Sequence, residues 1–245
     1  MTRRKNNIMK QILASVITLG AIICTSGAEL ARQEIQIHPA NTKCHENCSP
    51  LCGNLLRVKV EWVHEFNRLP KEKAAFRCSM DKENFYVDTY LVDKDIICDA
   101  QSPAVQKLYN VSDSIQIILK SDKHTAVWEF NVTAKGIHNA FLYPGPGALL
   151  PELSEKLAVK HEVKVDGTIN DNRDTDRSWR VRTTIPLSIL RRHGLNFCSS
   201  ENWTMLVLRN NYGRHLSGRE LSTFPQTLRE TYDSTRFGIL VFPTE

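Results

Sequence analysis

The chain has 245 residues, of which 41% are hydrophobic, 24% charged and 8% aromatic. These proportions are those of an ordinary globular protein, and they exclude a disordered chain, a collagen-like repeat and a multi-span membrane protein. The formal net charge is +5, but residues 1–28 hold four of the 32 basic residues and none of the 27 acidic ones, which leaves 28 basic against 27 acidic side chains. A balance of about +1 gives no electrostatic reason to expect nucleic acid as a partner.

Residues 1–28 have the features of an export signal. Basic residues between Arg3 and Lys10 precede an apolar run from Ile12 to Cys24, and the small residues Ser26, Gly27 and Ala28 follow. Signal peptidase requires small side chains of this kind at its cleavage site. The run is shorter than the roughly 20 residues that span a membrane. We therefore expect cleavage near Ala28, an exported protein that is periplasmic or extracellular, and no stable membrane span after cleavage.

Six cysteines remain after this cleavage. An even number of cysteines in an oxidising compartment favours disulfide bonds, with 15 complete pairings open. A metal site is the alternative, because three of the thiols and His45 lie within nine residues. Their C-x3-C-x3-C spacing matches neither a paired zinc knuckle nor a haem attachment motif. The disulfide candidates are Cys44, Cys48, Cys52, Cys78, Cys98 and Cys198.

Strand patterns dominate the rest of the chain. Residues 29–56 are polar and without a clear period, and we interpret them as a cysteine-bearing N-terminal extension before a domain at 57–245. From residue 57 apolar side chains recur at every second position, which is typical of half-buried strands. The predicted strands are Val58–Val63, Phe85–Val92, Ile115–Leu119, Trp128–Val132, His161–Val165, Trp179–Ile185, Trp203–Leu208 and Phe237–Phe242.

The predicted fold is all-β: an antiparallel two-sheet β-sandwich with one short helix. About eight short strands with few helical patterns favour this class, and a chain of this length can enclose one core. The helix is expected to open at Pro186 and to close at Gly194. The tryptophans are in phase with apolar neighbours on their strands and are therefore predicted to lie in the core. They are Trp62, Trp128, Trp179 and Trp203.

Catalytic motifs are not found in the sequence. It has no G-x-S-x-G elbow, no glycine-rich phosphate loop and no H-E-x-x-H helix. The acidic segment 171–176 has oxygen ligands that suit calcium, but Arg173 lies in its middle, so a solvated hairpin tip is favoured. Glycoside hydrolysis needs two carboxylates across a cleft, for which Asp88, Asp113 and Glu129 are the candidates. We expect no enzyme activity, with a glycoside hydrolase as the alternative.

Five segments follow one another in an order that resembles carbohydrate-binding module family 9 and its stand-alone secreted relatives, from about residue 57 to residue 243. Those five segments are Asp113–Leu119, Trp128–Val132, Trp179–Pro186, Trp203–Arg209 and Tyr232–Leu240. The resemblance implies a β-sandwich that binds glycans without cleaving them. In that family aromatic side chains flank a polar sheet face, and structural calcium is often bound.

The chain departs from the family pattern at the binding positions. The first aromatic clamp of the family falls near Tyr109 and the second near Tyr232. Where the family has an acidic residue, this chain has Gln116. Where the family has a basic residue, this chain has Asn131. These changes leave the implied fold intact, but they remove any inference about which sugar is preferred.

The two-residue period gives an independent interpretation of the same positions. If Ile115, Ile117 and the apolar positions of 128–132 face the core, then Gln116, Glu129 and Asn131 share the opposite face. Amides and an acid can exchange hydrogen bonds with sugar hydroxyls, and tyrosine rings can stack on a sugar ring. The predicted ligand-binding residues are Tyr109, Gln116, Glu129, Asn131, Arg209 and Tyr232.

These observations predict an exported, non-catalytic carbohydrate-binding module that assists polysaccharide breakdown. The expected partner is an oligosaccharide or a polysaccharide. No cofactor is assigned beyond the structural calcium that the family resemblance allows. The alternatives are the glycoside hydrolase and a cell-envelope module that binds another protein through the same sheet face.

Overall fold

The computed structural model describes residues 32–40, 51, 53–59, 67–102, 107–145, 157–191, 195–228 and 233–243. Within these residues the chain forms thirteen strands and very little helix. The strands are β1 Glu34–Pro39, β2 Asn54–Leu55, β3 Arg57–Val58, β4 Ala74–Met80, β5 Asn84–Val92, β6 Ser114–Ser121, β7 Val127–Thr133, β8 His138–Tyr143, β9 Lys160–Asp166, β10 Ser178–Pro186, β11 Trp203–Asn211, β12 Glu220–Phe224 and β13 Gly238–Val241.

The strands form two sheets that share one hydrophobic core. The first, here called the β6 sheet, has the order β8-β7-β6-β11-β13, with β12 paired to β11 and β3 paired to β12. The second, the β5 sheet, has the order β4-β5-β10-β9, with β2 paired to β4. Strand β1 runs parallel to both β13 and β4 and so joins the two sheets. The other strand pairs of the described residues are antiparallel, and the predicted sandwich is confirmed.

Seven of the predicted strands coincide with β5, β6, β7, β9, β10, β11 and β13. Each of them carries the two-residue alternation over at least part of its length, because one face packs on the core. The eighth predicted strand, at 58–63, is described only at its start, where residues 57–58 form β3. Its remaining residues from 60 onward lie outside the described ranges.

Strand β1 lies inside the segment that the sequence analysis assigned to an N-terminal extension. Ile35 and Ile37 are buried, and Glu34 and Gln36 between and before them are exposed. This is the same alternation that marks the other strands. Because β1 joins the two sheets, a domain boundary at residue 57 does not separate this segment from the sandwich, which as a compact unit begins at Arg32.

The core between the sheets is aromatic and closely packed. Trp128, Trp179 and Trp203 are completely buried, as predicted, whereas Trp62 lies outside the described residues. The rings of Trp128 and Trp203 are 5.5 Å apart, and Phe197 contacts Trp203 at 5.0 Å. Truncating a buried tryptophan to alanine typically costs about 3–5 kcal/mol, so these residues set much of the stability of the sandwich.

The short helix occurs where the sequence indicates it. One turn, α1 Leu187–Leu190, follows Pro186, whose φ of −58° leads directly into a helix. Leu187, Ile189 and Leu190 are buried against the core. Gly194, the predicted end, lies outside the described residues. The helices of the described residues are all too short or too polar to cross a membrane. The predicted signal peptide also lies outside these residues, so export stays a prediction.

The described cysteines are not paired. Cys78, Cys98 and Cys198 are free thiols, so disulfide bonds between these three, which the sequence analysis allowed, are not found. Cys78 faces the core from β4, and Cys98 lies in a separate small apolar cluster. Burial raises the pKa of the Cys78 thiol well above its usual value, as for an inert core cysteine. Cys44, Cys48 and Cys52 lie outside the described residues.

Candidate functional site

A row of polar side chains crosses the outer face of the β6 sheet. Gln116 on β6 is directly opposite Asn131 on β7, which is opposite Asn139 on β8. On the other side, Leu208 of β11 pairs with Gln116. Because Ile115, Ile117 and their neighbours face the core, alternation places this polar row on the opposite face of the sheet, as predicted.

Hydrogen bonds join these residues into one network, which we call the polar floor. Glu129 Oε1 accepts a hydrogen bond from Gln116 Nε2 at 3.1 Å and another from Asn131 Nδ2 at 2.9 Å. Asn131 Nδ2 also donates to Asn139 Oδ1 at 3.0 Å, and Asn210 Nδ2 donates to Gln116 Oε1 at 3.3 Å. A network of this kind holds its members in fixed orientations, so the floor is a preorganised surface.

The polar floor is covered more deeply than a free sheet face would be. The exposed fraction is 2% for Gln116, 4% for Glu129 and 1% for Asn131. A 3-10 helix at Leu108–Asn110 lies against β6 and β7 and accounts for part of this burial. The helix is anchored where Tyr212 donates its hydroxyl to the Tyr109 carbonyl at 2.7 Å. The site is therefore a recessed polar surface rather than the open wall that alternation alone suggests.

Three aromatic rings surround the polar floor. Phe141 and Tyr143 alternate with buried Leu142 on β8, so both rings lie on the same face as Glu129. Tyr109 lies in the 3-10 helix, and all three rings are partly exposed. Rings with one accessible side provide apolar surfaces on which a sugar ring can stack.

The tyrosine hydroxyls remain protonated near this site. Burial, then the charge of Glu129 and then Tyr109 raise the pKa of Tyr143 to about 12. Burial and then Glu129 also raise the pKa of Tyr109, while Arg219 acts in the opposite direction. The shared influence of Glu129 places both phenols around the same carboxylate. Both hydroxyls are therefore available as hydrogen-bond donors and acceptors across the physiological pH range.

One atom of the polar floor is left without a partner. Asn131 Oδ1 is buried and accepts no hydrogen bond from the described residues, although its Nδ2 makes two. A buried acceptor without a donor costs roughly 1–3 kcal/mol. A hydroxyl can donate to Asn131 Oδ1 and accept from a neighbouring group, and because this atom is buried, a ligand reaches it only when the covering side chains move.

Arg209, a predicted ligand-binding residue, is not part of this site. It follows Trp203, Met205 and Val207 at every second position of β11 and therefore points to the inner face, as they do. Its guanidinium is completely buried and lies 3.0 Å from the Asp93 carboxylate and 3.8 Å from that of Glu72. The structure thus places Arg209 away from the polar floor, with its charge neutralised inside the protein.

Asp93, Glu72 and Arg209, together with Asp113, form what we call the ionic cluster. Asp113 is fully buried, and its two carboxylate oxygens accept hydrogen bonds from the backbone amides of Ile97 and Tyr212, each at 2.6 Å. Burial and then the charge of Asp93 raise the pKa of Asp113 to about 8. Burial likewise raises the pKa of Asp93. Asp113 is enclosed by its own fold and is not presented to a substrate.

The other predicted positions divide clearly. Tyr109, Gln116, Glu129 and Asn131 come together at the polar floor, while Tyr232 lies outside the described residues. The sequence analysis missed four members of the site because it predicted no strand at β8 and ended β11 too early. The missed residues are Asn139, Phe141, Tyr143 and Asn210. The alternation of Asn139, Phe141 and Tyr143 in β8 was the signal that could have found three of them.

The acidic segment 171–176 uses its carboxylates within the protein. Asp171 pairs with Arg173 at 2.6 Å, and Asp174 accepts a hydrogen bond from the Thr168 hydroxyl at 3.0 Å. Asp176 accepts from the backbone amides of Ile96 and Thr168 at 2.7 and 2.6 Å. These carboxylates do not converge on one point, and no cluster of three or more metal-ligating side chains occurs among the described residues. The segment therefore does not fit the calcium that the family resemblance implies.

Comparison with known proteins supports the fold. No protein-family model and no curated protein sequence matches the chain. A candidate carbohydrate-binding protein from Bacteroides uniformis superposes with a TM-score of 0.58 at 12% identity, over 86% of this chain and 99% of that chain. A carbohydrate-binding module family 9 from Caldicellulosiruptor kristjanssonii, in complex with cellotriose, superposes with a TM-score of 0.53 at 13% identity. The match covers 87% of this chain and 95% of that chain.

The same module in complex with glucose gives a TM-score of 0.52 at 13% identity and covers 87% of this chain and 97% of that chain. The chain is thus similar in fold to family 9 modules along nearly their whole length. The resemblance predicted from the sequence is confirmed at the level of the fold, because identities this low establish shared architecture and nothing finer.

Proposed function

We propose that this chain is a non-catalytic carbohydrate-binding module whose ligand lies on the polar floor between Tyr109, Phe141 and Tyr143. The observation that carries the proposal is the unsatisfied Asn131 Oδ1 in an otherwise complete hydrogen-bond network beside partly exposed rings. Sugar rings combine an apolar face with hydroxyl edges, and this site offers stacking surfaces around acceptors and donors.

The carboxylates near the site support binding rather than catalysis. Glu129 is held by two amide donors, and Asp113 is enclosed by backbone amides. Asp88 lies on β5, in the other sheet, where Arg182 binds it at 2.7 Å. Each candidate carboxylate is therefore engaged by donors of the protein itself, which favours binding over glycoside hydrolysis. Similarity in fold to modules crystallised with cellotriose and glucose is consistent with a glycan ligand.

Affinity electrophoresis across a panel of soluble polysaccharides tests the proposal. We expect at least one polysaccharide to retard the folded protein, and Tyr143→Ala to abolish most of the retardation because the stacking surface is lost. Tyr90→Ala is the matched control, since Tyr90 is a partly exposed tyrosine on β5 in the other sheet. Equal loss in both variants, or no retardation by any glycan, contradicts the proposal.

The same protein separates this function from its alternatives. Release of reducing sugar that disappears in Glu129→Gln identifies a glycoside hydrolase. Capture of a protein partner without any response to glycans identifies a cell-envelope interaction module. We further propose that the chain is exported and aids the breakdown of a polysaccharide. Amino-terminal sequencing of the secreted protein tests the export step and is expected to begin at Glu29.

A further inference from the structure

A groove lined by basic residues lies beside the polar floor. Its volume is about 350 Å³, and it runs between the edge of the β6 sheet and the loop before β12. Four of the ten residues that line it are basic and one is acidic. The basic residues are Lys59, Arg68, Lys71 and Arg219, and the acid is Glu220.

Three chain segments bring these cations together. Lys59 follows β3 and donates its backbone amide to Leu221 of β12 at 2.9 Å. Arg68 lies on the other side of β3, where its carbonyl accepts the Val58 amide at 2.9 Å. Lys71 donates its backbone amide to the Glu220 carboxylate at 3.0 Å. The positive charge of the groove is therefore a product of the tertiary fold.

The cations of the groove are available to a ligand. The Glu220 carboxylate is bound by a backbone amide, and Lys59, Arg68, Lys71 and Arg219 form no ion pair with any carboxylate of the described residues. Arg68, Lys71 and Arg219 are exposed. Elsewhere on the surface, arginines such as Arg173, Arg177 and Arg214 each pair with an aspartate. Cations that lie close together in one groove, without an ion-pair partner among the described residues, create a positive potential that attracts an anion.

The groove and the polar floor share one face of the sheet. Asn210 of the floor is opposite Leu221, and the pairing continues from Leu221 to Lys59. Lys59 is thus on the same face as Gln116, three strand spacings across and two residues along, or about 16 Å away. Arg219 directly precedes β12, whose first residue Glu220 pairs with Asn211, and the next residue, Tyr212, donates its hydroxyl to the Tyr109 carbonyl. The charge of Arg219 also acts on the Tyr109 phenol.

We propose that the groove binds the anionic groups of an acidic polysaccharide, carboxylates or sulfate esters, while a neighbouring sugar of the same chain occupies the polar floor. This inference rests on the proposed function, because it extends the ligand of the floor to the adjoining cations. An acidic peptide or a nucleic acid also carries negative charge, but neither provides the hydroxyl-bearing rings that the floor is suited to bind.

The experiment compares matched acidic and neutral glycans by isothermal titration calorimetry. Oligogalacturonate and its carboxyl-reduced form test carboxylates, and a sulfated glucan and unmodified glucan test sulfate. We expect the acidic member of one pair to bind at least about threefold more tightly, with an advantage that shrinks as salt rises from about 0.02 M to about 0.3 M because the charges are screened.

Two double variants test whether the cations of the groove cause the preference for acidic glycans. The double variant Lys59→Gln/Arg219→Gln is expected to weaken binding of the acidic glycan by about two- to thirtyfold, if each charge contributes about 0.2–1 kcal/mol. Binding of the neutral glycan is expected to stay unchanged. Lys164→Gln/Arg180→Gln makes the same charge change at exposed positions of β9 and β10 in the other sheet. This control is expected to have no effect.

Three outcomes overturn the inference, and each has a different meaning. Equal affinity for acidic and neutral glycans leaves the proposed function standing and removes the role of the groove. Equal binding of polyphosphate or polyaspartate shows a surface that attracts any polyanion. No binding of any glycan overturns both the inference and the proposed function.

Discussion

The polar floor and the ionic cluster are two buried polar regions of the same protein, and we propose a ligand for only one of them. Both contain carboxylates, both are almost inaccessible, and each has an atom without a hydrogen-bond partner among the described residues: Asn131 Oδ1 in the floor and Arg209 Nε in the cluster. In the cluster Arg209 and Asp93 neutralise each other inside the sandwich. In the floor the open acceptor lies among rings with accessible surface. Burial and polarity alone therefore do not mark a binding site.

The two regions differ in the face of the β6 sheet on which their side chains lie. Arg209 lies on the same face of β11 as the core residues of that strand. Gln116 and Asn131 lie on the outer faces of β6 and β7, opposite the core residues of those strands. A charge on the inner face must be satisfied by the protein itself, since no ligand reaches it. A polar group on the outer face can be completed by a ligand. The predictions below test this contrast.

Removing the cation of the ionic cluster is expected to have the largest effect. Arg209→Met leaves the buried Asp93 carboxylate without its partner, and breaking a buried ion pair typically costs about 3–5 kcal/mol. The free energy of unfolding from urea titration measures this. Glycan affinity of the fraction that remains folded is expected to be unchanged. If the Arg209→Met protein is stable but no longer binds glycan, Arg209 belongs to the binding site after all.

The pH dependence of stability is expected to reveal His161, a partly buried histidine on β9. Burial, and then the nearby His138, lower the pKa of His161 to about 3. The folded state then keeps His161 neutral, while the unfolded state takes up a proton below pH 6.5. Stability is therefore present above pH 6.5 and is lost as the pH falls towards 3, by about 2 kcal/mol between pH 6.5 and 4.5.

Urea titrations at several pH values measure this slope. His161→Gln is expected to flatten it by that amount, since glutamine cannot take up the proton. His38→Gln is the control, because His38 is an exposed histidine at the end of β1. Identical slopes for the native protein and His161→Gln contradict the assignment.

Glu129→Gln is expected to weaken glycan binding roughly tenfold, by analogy with hydrogen bonds to charged groups worth about 1.5–3 kcal/mol. The substitution preserves size but removes the charge that orients Gln116 and Asn131. Calorimetric titration with the glycan identified by electrophoresis measures the change. Unchanged affinity would show that the ligand does not lie over the floor.

The smallest effect is expected at an ion pair on the outer face of the other sheet. Arg182 and Asp88 form a partly exposed pair at 2.7 Å, and such pairs contribute about 0–1 kcal/mol. Arg182→Met should therefore lower the unfolding free energy by less than about 1 kcal/mol and leave glycan binding intact. If Arg182→Met lowered the unfolding free energy as much as Arg209→Met, the expected difference between buried and exposed ion pairs would be contradicted.

Most of the sandwich could be predicted because apolar side chains recur at every second position of its strands. β5 alternates buried and partly exposed residues along its full length, and the pattern is visible in the sequence. β4 is buried on both faces over most of its length, and the sequence analysis did not predict it. β1 does alternate, but it is short and lies in a cysteine-bearing segment.

The candidate site was predicted only in part. The two-residue period placed Gln116, Glu129 and Asn131 on one face, and the same rule applied to β11 would have excluded Arg209. The alternation in β8 could have placed Phe141 and Tyr143 on one face of a strand, but only the pairing of β8 with β7 places that face beside Glu129. Burial of the floor by the 3-10 helix is a contact between distant segments that no local pattern encodes.

From the sequence alone came the all-β class and the inward or outward direction of most strand residues, because the period of a strand depends only on which face is buried. Tertiary structure decided which strands are neighbours, and so which side chains meet. The groove formed by Lys59, Arg68 and Arg219 is the clearest case. Its cations come from separate segments, and their proximity follows from strand pairing rather than from spacing along the chain.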